Sequence, residues 1–379
     1  MRKMWKLHIV AMIGFVVLAV LALGSATQPA ATRPAAFTEP EERATLWVNG
    51  EPQILSDTRS RANSVAVSDG DVYVVGTVRA ERGRAMLWVN GVPQALSNML
   101  SSANDIHISN SYVYIAGAVW DPDSRATLWV NGVPQTLSNL TSTASSVFVY
   151  GSDIFVLGAV WGGGATARER QLSRRATLWV NGVPQTLGNY RTSLASVFVS
   201  GGNVYVAGTA HVPTAPLGRS GRATLWVNGV PQTLNNTPSS AVSVFVYGGD
   251  VFVAGNVASQ GRTRYATLWV NGVPQRLSNI NSGAGSVFVY GNNVYVAGNT
   301  DSGQYEVWHD GVERVRDWLY YYKAMLWVNG TPRVLNDPES LTRRPFIVYD
   351  GSAFVPGYTD ASSVFVYGDD VFVAGVISK

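Results

Sequence analysis

Asp105 and His107 stand two residues apart in the run Asp105-Ile106-His107-Ile108, where alternating apolar residues mark a strand. Side chains at i and i+2 of a strand point the same way. The pair therefore has the spacing by which a carboxylate orients an imidazole as a general base or begins a metal site. Together with Asp121, Asp123 and His211 it makes up the set of acids and imidazoles from which a glycan-active hydrolase or lyase can be assembled. The set is thin. One of the four histidines is His8, and the others, His107, His211 and His309, lie in separate parts of the chain. There is no cysteine, which removes a thiol nucleophile, disulfides and thiolate metal sites. No H-E-x-x-H, G-x-S-x-G, phosphate loop or dinucleotide fingerprint occurs. We assign no catalytic residue, no metal ligand and no cofactor. His107 also takes the place of Phe148 and Phe198 in parallel segments, an interior position that suits a buried, hydrogen-bonded histidine.

The second chemistry is binding. Trp120 and Trp161 each end an apolar strand, and the longest irregular connections are Ala159 to Arg175 and Thr209 to Arg222. These carry Arg168, Arg170, Arg174, Arg175, Arg219 and Arg222, a locally cationic sector in a chain of 28 basic and 25 acidic residues. Indole faces beside guanidinium donors suit an acidic sugar or an anionic peptide. Trp120, Trp161, Arg168, Arg170, His211 and Arg219 are the candidate binding residues, with Asp105, His107, Asp121 and Asp123 as the alternative site. A third aromatic group, Trp308, His309, Trp318 and Tyr320 to Tyr322, either lines a groove or repacks a damaged repeat.

The elements that must hold these residues are repeats. The pattern A-T-L-W-V-N-G-V-P-Q-T-L recurs with tryptophan at 47, 88, 129, 179, 226, 269 and 327, and in decayed form at Trp308. Asn-Gly between β-prone runs predicts a type I′ hairpin. A second hairpin, S-V-F-V-Y-G-x-D/N-V-Y-V-A-G, starts at Ser64, Asp105, Ser146, Ser196, Ser243, Ser286 and Ser363, with a weaker copy at Phe346 to Gly357. Runs such as Val147-Phe148-Val149 do not alternate with polar residues, so both faces of the sheet must be covered. Two hairpins give four strands per repeat of about 41 to 50 residues, the size of a propeller blade.

The order of the two hairpins resembles the kelch class of β-propellers, and the chain is similar to bacterial exported repeat proteins built on an L-W-x-N-G unit. It departs from the kelch pattern in having one glycine where a pair is expected and its tryptophan in the third strand. The resemblance implies an architecture and no functional residue. We expect an all-β propeller of seven four-stranded blades over residues 43–379. Its V-F-V and V-Y-V strands lie inside, and Ala44 to Leu55 pairs with Ser363 to Gly375 to close the ring. The stretch 299–361 is irregular and leaves room for an eighth blade. The repeated tryptophans read as inter-blade anchors with locally bonded N–H groups. The basic residues four positions before them (Arg43, Arg84, Arg125, Arg175, Arg222 and Lys323) read as solvated strand starts, the serines opening the inner hairpins as backbone-bonding residues, and the turn aspartates as turn chemistry.

Arg2, Lys3 and Lys6, the apolar run Ile9 to Leu23 and Gly24-Ser25-Ala26 have the layout of a signal peptide, residues 1–26, followed by a linker, 27–42. A retained anchor is the other reading of this segment. Without the leader the 28 basic residues fall to 25, equal to the 25 acidic ones, so the basic isoelectric point says nothing for nucleic acid. The expectation is a secreted, periplasmic or cell-surface bacterial monomer that binds a carbohydrate or protein, with a glycan-active enzyme or a purely structural surface protein as alternatives. Propellers host many functions, so the fold does not choose among them.

Overall fold

The computed structural model describes residues 42–378, apart from 80–82, 164–165, 167–168, 170–171, 189–191, 212–220, 260–262, 302–306, 310–312, 316–321, 336–346, 350–351 and 355–358. The expected leader and most of the linker lie outside the described residues. Seven four-stranded antiparallel sheets are arranged in a ring, a seven-bladed β-propeller. Blade 1 runs Ser60–Ser68, Asp71–Arg79, Gly83–Val89 and Val92–Ala95, from channel to rim. Blades 2 to 5 repeat it, with inner strands Ser101–Ser109, Ser142–Tyr150, Thr192–Ser200 and Ser239–Tyr247. Blade 6 begins at Ser282–Tyr290. Blade 7 joins Thr359–Tyr367 and Asp370–Ser378 to Glu42–Val48 and Glu51–Ile54, so the first described strand pairs with the last, Leu46 opposite Ala374. That strand begins at Glu42, one residue before the expected boundary. Closure of this kind leaves no inner sheet edge exposed.

The room for an eighth blade is not used by one. Val307–His309 pairs with Glu313–Val315 and Ile347–Tyr349 with Ser352–Phe354, each as a separate two-stranded sheet. Blade 6 instead takes its outer pair from Tyr322–Val328 and Thr331–Val334. The reason lies in the two copies: the later one keeps the A-x-L-W-V-N-G run and buries Trp327 fully, whereas Glu306-Val307-Trp308-His309 has lost the residues around its tryptophan.

Trp47, Trp88, Trp129, Trp179, Trp269 and Trp327 have no exposed surface and Trp226 is 3% exposed. Each packs on a neighbouring blade; Trp129 lies against Ala85, Leu87 and Val75 of blade 1. The expected local bond exists at Trp129, whose indole N–H donates to Leu96 O of blade 1 at 3.2 Å. At Trp88, Trp179, Trp269 and Trp327 the indole nitrogen is buried without a hydrogen-bond partner, so packing alone holds those four rings.

The inner strands share a β-bulge, seen as a register shift between Ala62 and Ser64 and between its equivalents. A bulge leaves one residue out of the ladder, here Asn63 and its equivalents, and just beyond it inner-strand N–H groups bond across blades. Val197 N donates to Ser146 Oγ, Val244 N to Ser196 Oγ, Val287 N to Ser243 Oγ, Val364 N to Ser286 Oγ and Val65 N to Ser363 Oγ, at 3.2–3.4 Å. The serines that open the inner hairpins thus form a collar around the channel. The bulge also explains the single glycine of the motif: a Cβ on Gly117 would lie 2.0 Å from Ser102 O.

Candidate functional site

Strand direction sorts the connections. Turns within hairpins lie on one face, and connections between hairpins lie on the other, the loop face. At the turns, Asn90 (φ 50°) and Gly91 (φ 80°) take the left-handed conformations a type I′ turn requires. Asn90 Nδ2 donates to Asp71 Oδ1 at 2.8 Å and Val72 N to Asn90 Oδ1 at 2.9 Å, a clasp repeated at Asn181 with Asp153, Asn271 with Asp250 and Asn49 with Asp370. Among the described residues, no group of three or more His, Asp or Glu is placed to hold a metal ion.

On the loop face, the last residue of the second strand is Arg79 in blade 1, Trp120 in blade 2, Trp161 in blade 3 and His211 in blade 4. Identical register places these four along one arc. The residues opposite them are Gly83, Ser124, Arg174 and Gly221. Between blades 1 and 2 the arc opens into a cleft of about 600 Å³, lined by Arg59, Arg61 and Arg79, by Trp120, and by Asn63 and Asn104 among others. Arg79 is exposed; Arg59, Arg61 and Trp120 are half-buried. Asn63 and Asn104 are fixed in the cleft by donating to Ala103 O and Ala144 O, both at 2.7 Å. Arg61 Nη2 donates to Glu42 Oε1 at 3.2 Å across the seam with blade 7. Asp360 lies on the far side of that seam. Burial pushes its carboxyl above the usual carboxylate range, while Asn299, Arg61 and the Ala361 backbone oppose the rise.

Among the expected binding residues, Trp120 belongs to this cleft. Trp161 does not share it: Arg174 lies over its ring at 5.6 Å and donates to Thr192 O of blade 4. Burial holds the Arg174 guanidinium below its ordinary pKa. Arg168, Arg170 and Arg219 lie outside the described residues, as do Asp310, Trp318, Tyr320 and Tyr321. The basic strand starts bond locally: Arg125 to Asn139 O, Arg222 to Gly221 O and Arg175 to Leu172 O, while Arg43 pairs with Asp57 at 3.9 Å.

The alternative site is divided between the channel wall, with Asp105 and His107, and the loop face, with Asp121 and Asp123. Asp105 takes the serine position of blade 2 and receives four donors: Ser64 Oγ at 2.9 Å, Ser146 Oγ at 2.8 Å, Val147 N at 3.0 Å and Ile106 N at 2.9 Å. Asp105 is half-buried at the channel wall and surrounded by protein groups. Desolvation therefore raises its pKa against the pull of those donors. His107 stacks on Phe148 at 4.4 Å, the first of a chain of tilted rings that continues through Phe198, Phe245, Phe288 and Phe365. Burial lowers its pKa to about 4, opposed by the hydrogen bond to the Val149 backbone. Asp121 and Asp123 are exposed in the turn after Trp120, with Asp121 N donating to Asp123 O at 3.0 Å. Since Asp105 pairs with Ala116, Asp121 lies five residues further along, about 16 Å at a strand's rise.

Arg59, Arg61 and Arg79 lie in or beside the regular strands Ser60–Ser68 and Asp71–Arg79, outside the long connections. Their signal was in the repeats: Arg61 stands where other blades carry Ser102, Thr143, Ser193, Ser240, Gly283 and Asp360, and Arg79 where Trp120 and Trp161 stand. A groove of about 450 Å³ between blades 5 and 6 also carries cations, but Arg276 there lies 3.4 Å from the Tyr265 ring centre and Asp301 faces the same space as Lys323.

No protein-family model and no curated protein matches the chain. Among solved structures it is similar to a putative TolB from Agrobacterium tumefaciens, with 12% identity and a TM-score of 0.41 over 64% of this chain and 91% of that one. It is also similar to the β-propeller domain of the Trilobed protease from Pyrococcus furiosus, with 13% identity and a TM-score of 0.41 over 74% and 99%. A puromycin-hydrolyzing peptidase from Mycobacterium tuberculosis gives 12% identity and a TM-score of 0.46 over 82% of this chain and 60% of that one. The likeness is one of fold, and no residue role passes from these proteins to this chain.

Proposed function

We propose that this chain is an exported, kelch-like binding propeller, without catalytic activity, that takes an anionic group of a carbohydrate or protein into the loop-face cleft between blades 1 and 2. The observation that carries this reading is the convergence of Arg59, Arg61 and Arg79 with Trp120 on one cleft of about 600 Å³. Guanidinium groups hold carboxylate or sulfate oxygens in pairs, and an indole face stacks on a sugar ring or a cation-free planar group. Asn63 and Asn104, tied to the next blade, give the cleft a floor that does not need to reorganise on binding.

Two features favour binding over glycan chemistry. Asp105 has its oxygens engaged by four donors, and His107 is stacked among rings with its pKa near 4. Asp121 and Asp123 stand apart from both at the rim. The leader-like first segment supports export; among the described residues no helix is long and apolar enough to cross a membrane. Titration of the mature chain with acidic and neutral oligosaccharides of equal length tests the reading. Preference for the acidic series, lost in Arg79→Ala and in Trp120→Ala but kept in Trp161→Ala, is the expected result. Equal binding of both series, or none of either and no acidic protein ligand on a peptide array, refutes it.

A further inference from the structure

The opposite face has a different chemistry. The inner strands end there, at the channel mouth, and in blades 3, 5, 6 and 7 the last residue is a tyrosine: Tyr150, Tyr247, Tyr290 and Tyr367, each 46% exposed. Each stands two residues beyond a phenylalanine of the stacked ring series, Phe148, Phe245, Phe288 and Phe365, so side-chain alternation puts it on the same side of the strand. Tyr112, which opens the second strand of blade 2, adds a fifth phenol at 51% exposure. The phenylalanines are covered by each other; the four strand-end tyrosines are an open continuation of that collar, and Tyr112 stands beside Tyr114 at 6.4 Å.

The charge around the collar has one sign. Among the described residues, the turns that join paired strands contain no lysine, arginine or histidine, while the inner turns carry Asp69, Asp71, Asp153, Asp250, Asp369 and Asp370. The arginines of the cleft lie on the loop face, so the described turns of the opposite face present carboxylates without cations beside them. Aromatic faces surrounded by carboxylates are the chemistry that holds ammonium and guanidinium groups, through the ring quadrupole and through salt-sensitive charge attraction.

From the exposed tyrosine collar and this charge complementarity we infer that the turn-face channel mouth is a docking surface for a cationic protein segment, one that presents lysine or arginine side chains to Tyr247, Tyr290 and Tyr367. It is independent of the loop-face cleft, and the two faces take ligands of opposite charge.

The test uses fluorescently labelled hexa-lysine and hexa-arginine peptides, with an uncharged peptide of equal length as control, and reads anisotropy with the mature chain at low and moderate salt. Saturable binding of the basic peptides is expected, weakening as salt rises. The triple variant Tyr247→Ser, Tyr290→Ser, Tyr367→Ser imports the residue that blades 1, 2 and 4 carry at that position, Ser68, Ser109 and Ser200, so the blades have a precedent for it. It should weaken binding by about tenfold or more, since each ring contributes a cation–π contact. Asp69→Asn with Asp369→Asn should weaken it further and flatten the salt dependence, whereas Arg79→Ala should leave it unchanged. Absence of basic-peptide binding overturns the inference. So does binding that survives the tyrosine variant, which marks diffuse attraction to carboxylates, or binding lost in Arg79→Ala. None of these outcomes bears on anion binding in the cleft.

Discussion

Ser146 donates its hydroxyl hydrogen to Asp105 Oδ2 at 2.8 Å, and Asp105 accepts Ser64 Oγ on its other side at 2.9 Å, so one carboxylate bridges blades 1, 2 and 3. Six serines hold the equivalent positions around the channel. The carboxylate is more strongly bonded than a serine there and more costly to bury, and its raised pKa records that burial wins.

Asp105→Ser is expected to stabilise the protein at neutral pH. A carboxyl whose pKa is raised in the fold binds its proton more tightly there than in the unfolded chain, so stability falls as pH rises from the unfolded value near 3.8 and stays reduced above the folded value. Urea titrations at pH 7 should place the variant's midpoint above that of the parent, and the gap should close as pH falls through that window. A variant less stable at pH 7 would show that the four bonds outweigh the desolvation.

His107 gives the opposite slope. Its folded pKa of about 4 lies below the unfolded 6.5, so the fold favours the neutral ring, and stability is lost as pH falls from 6.5 to about 4. The loss is at most about 3 kcal/mol. His107→Phe, the residue of five other blades, should remove this dependence and extend the stacked rings, which urea midpoints at pH 7, 5 and 4 can follow.

Arg61 is shared between the cleft and the seam. Glu42 holds it at 3.2 Å, with 12% of the Glu42 side chain and 39% of the Arg61 side chain exposed, so Glu42→Gln should lower stability by weakening a pair with one buried member, seen as a lower urea midpoint. The same change removes the carboxylate that competes for Arg61 from across the seam. Acidic oligosaccharides should then bind a few fold more tightly, measured by calorimetry; unchanged affinity would remove Arg61 from the ligand contacts.

The tryptophans carry the packing. Trp88→Ala empties a fully buried slot between blades 1 and 7 and should cost about 3–5 kcal/mol, visible as a large fall in thermal midpoint. Trp88→Phe should recover part of it, because the Trp88 indole nitrogen makes no hydrogen bond to lose.

Much of this architecture was legible in the repeats. Asn90-Gly91 and its copies announced their turns because few other residues accept positive φ, and doubly apolar strands announced sheets covered on both sides. The order of the hairpins was enough to pair the first strand with the last. The indole N–H bonds were not legible, since Trp88 and Trp129 share the run L-W-V-N-G-V-P-Q and yet Trp129 alone of the two finds a carbonyl, on the preceding blade. The site was only half legible. Trp120 stood out as an aromatic after a strand, but Arg59, Arg61 and Arg79 belong to another blade and meet it through packing.

The sequence by itself determined the blade and the closure, and left the count at seven with room for an eighth, because turn conformation and strand patterning are local and recur. What only the tertiary structure decided was which side chains from neighbouring blades share a cleft, how Asp105 is bonded, and which of two competing outer hairpins enters blade 6. Those outcomes depend on distances between residues tens of positions apart, set by how each sheet packs on the next, and no local pattern encodes them.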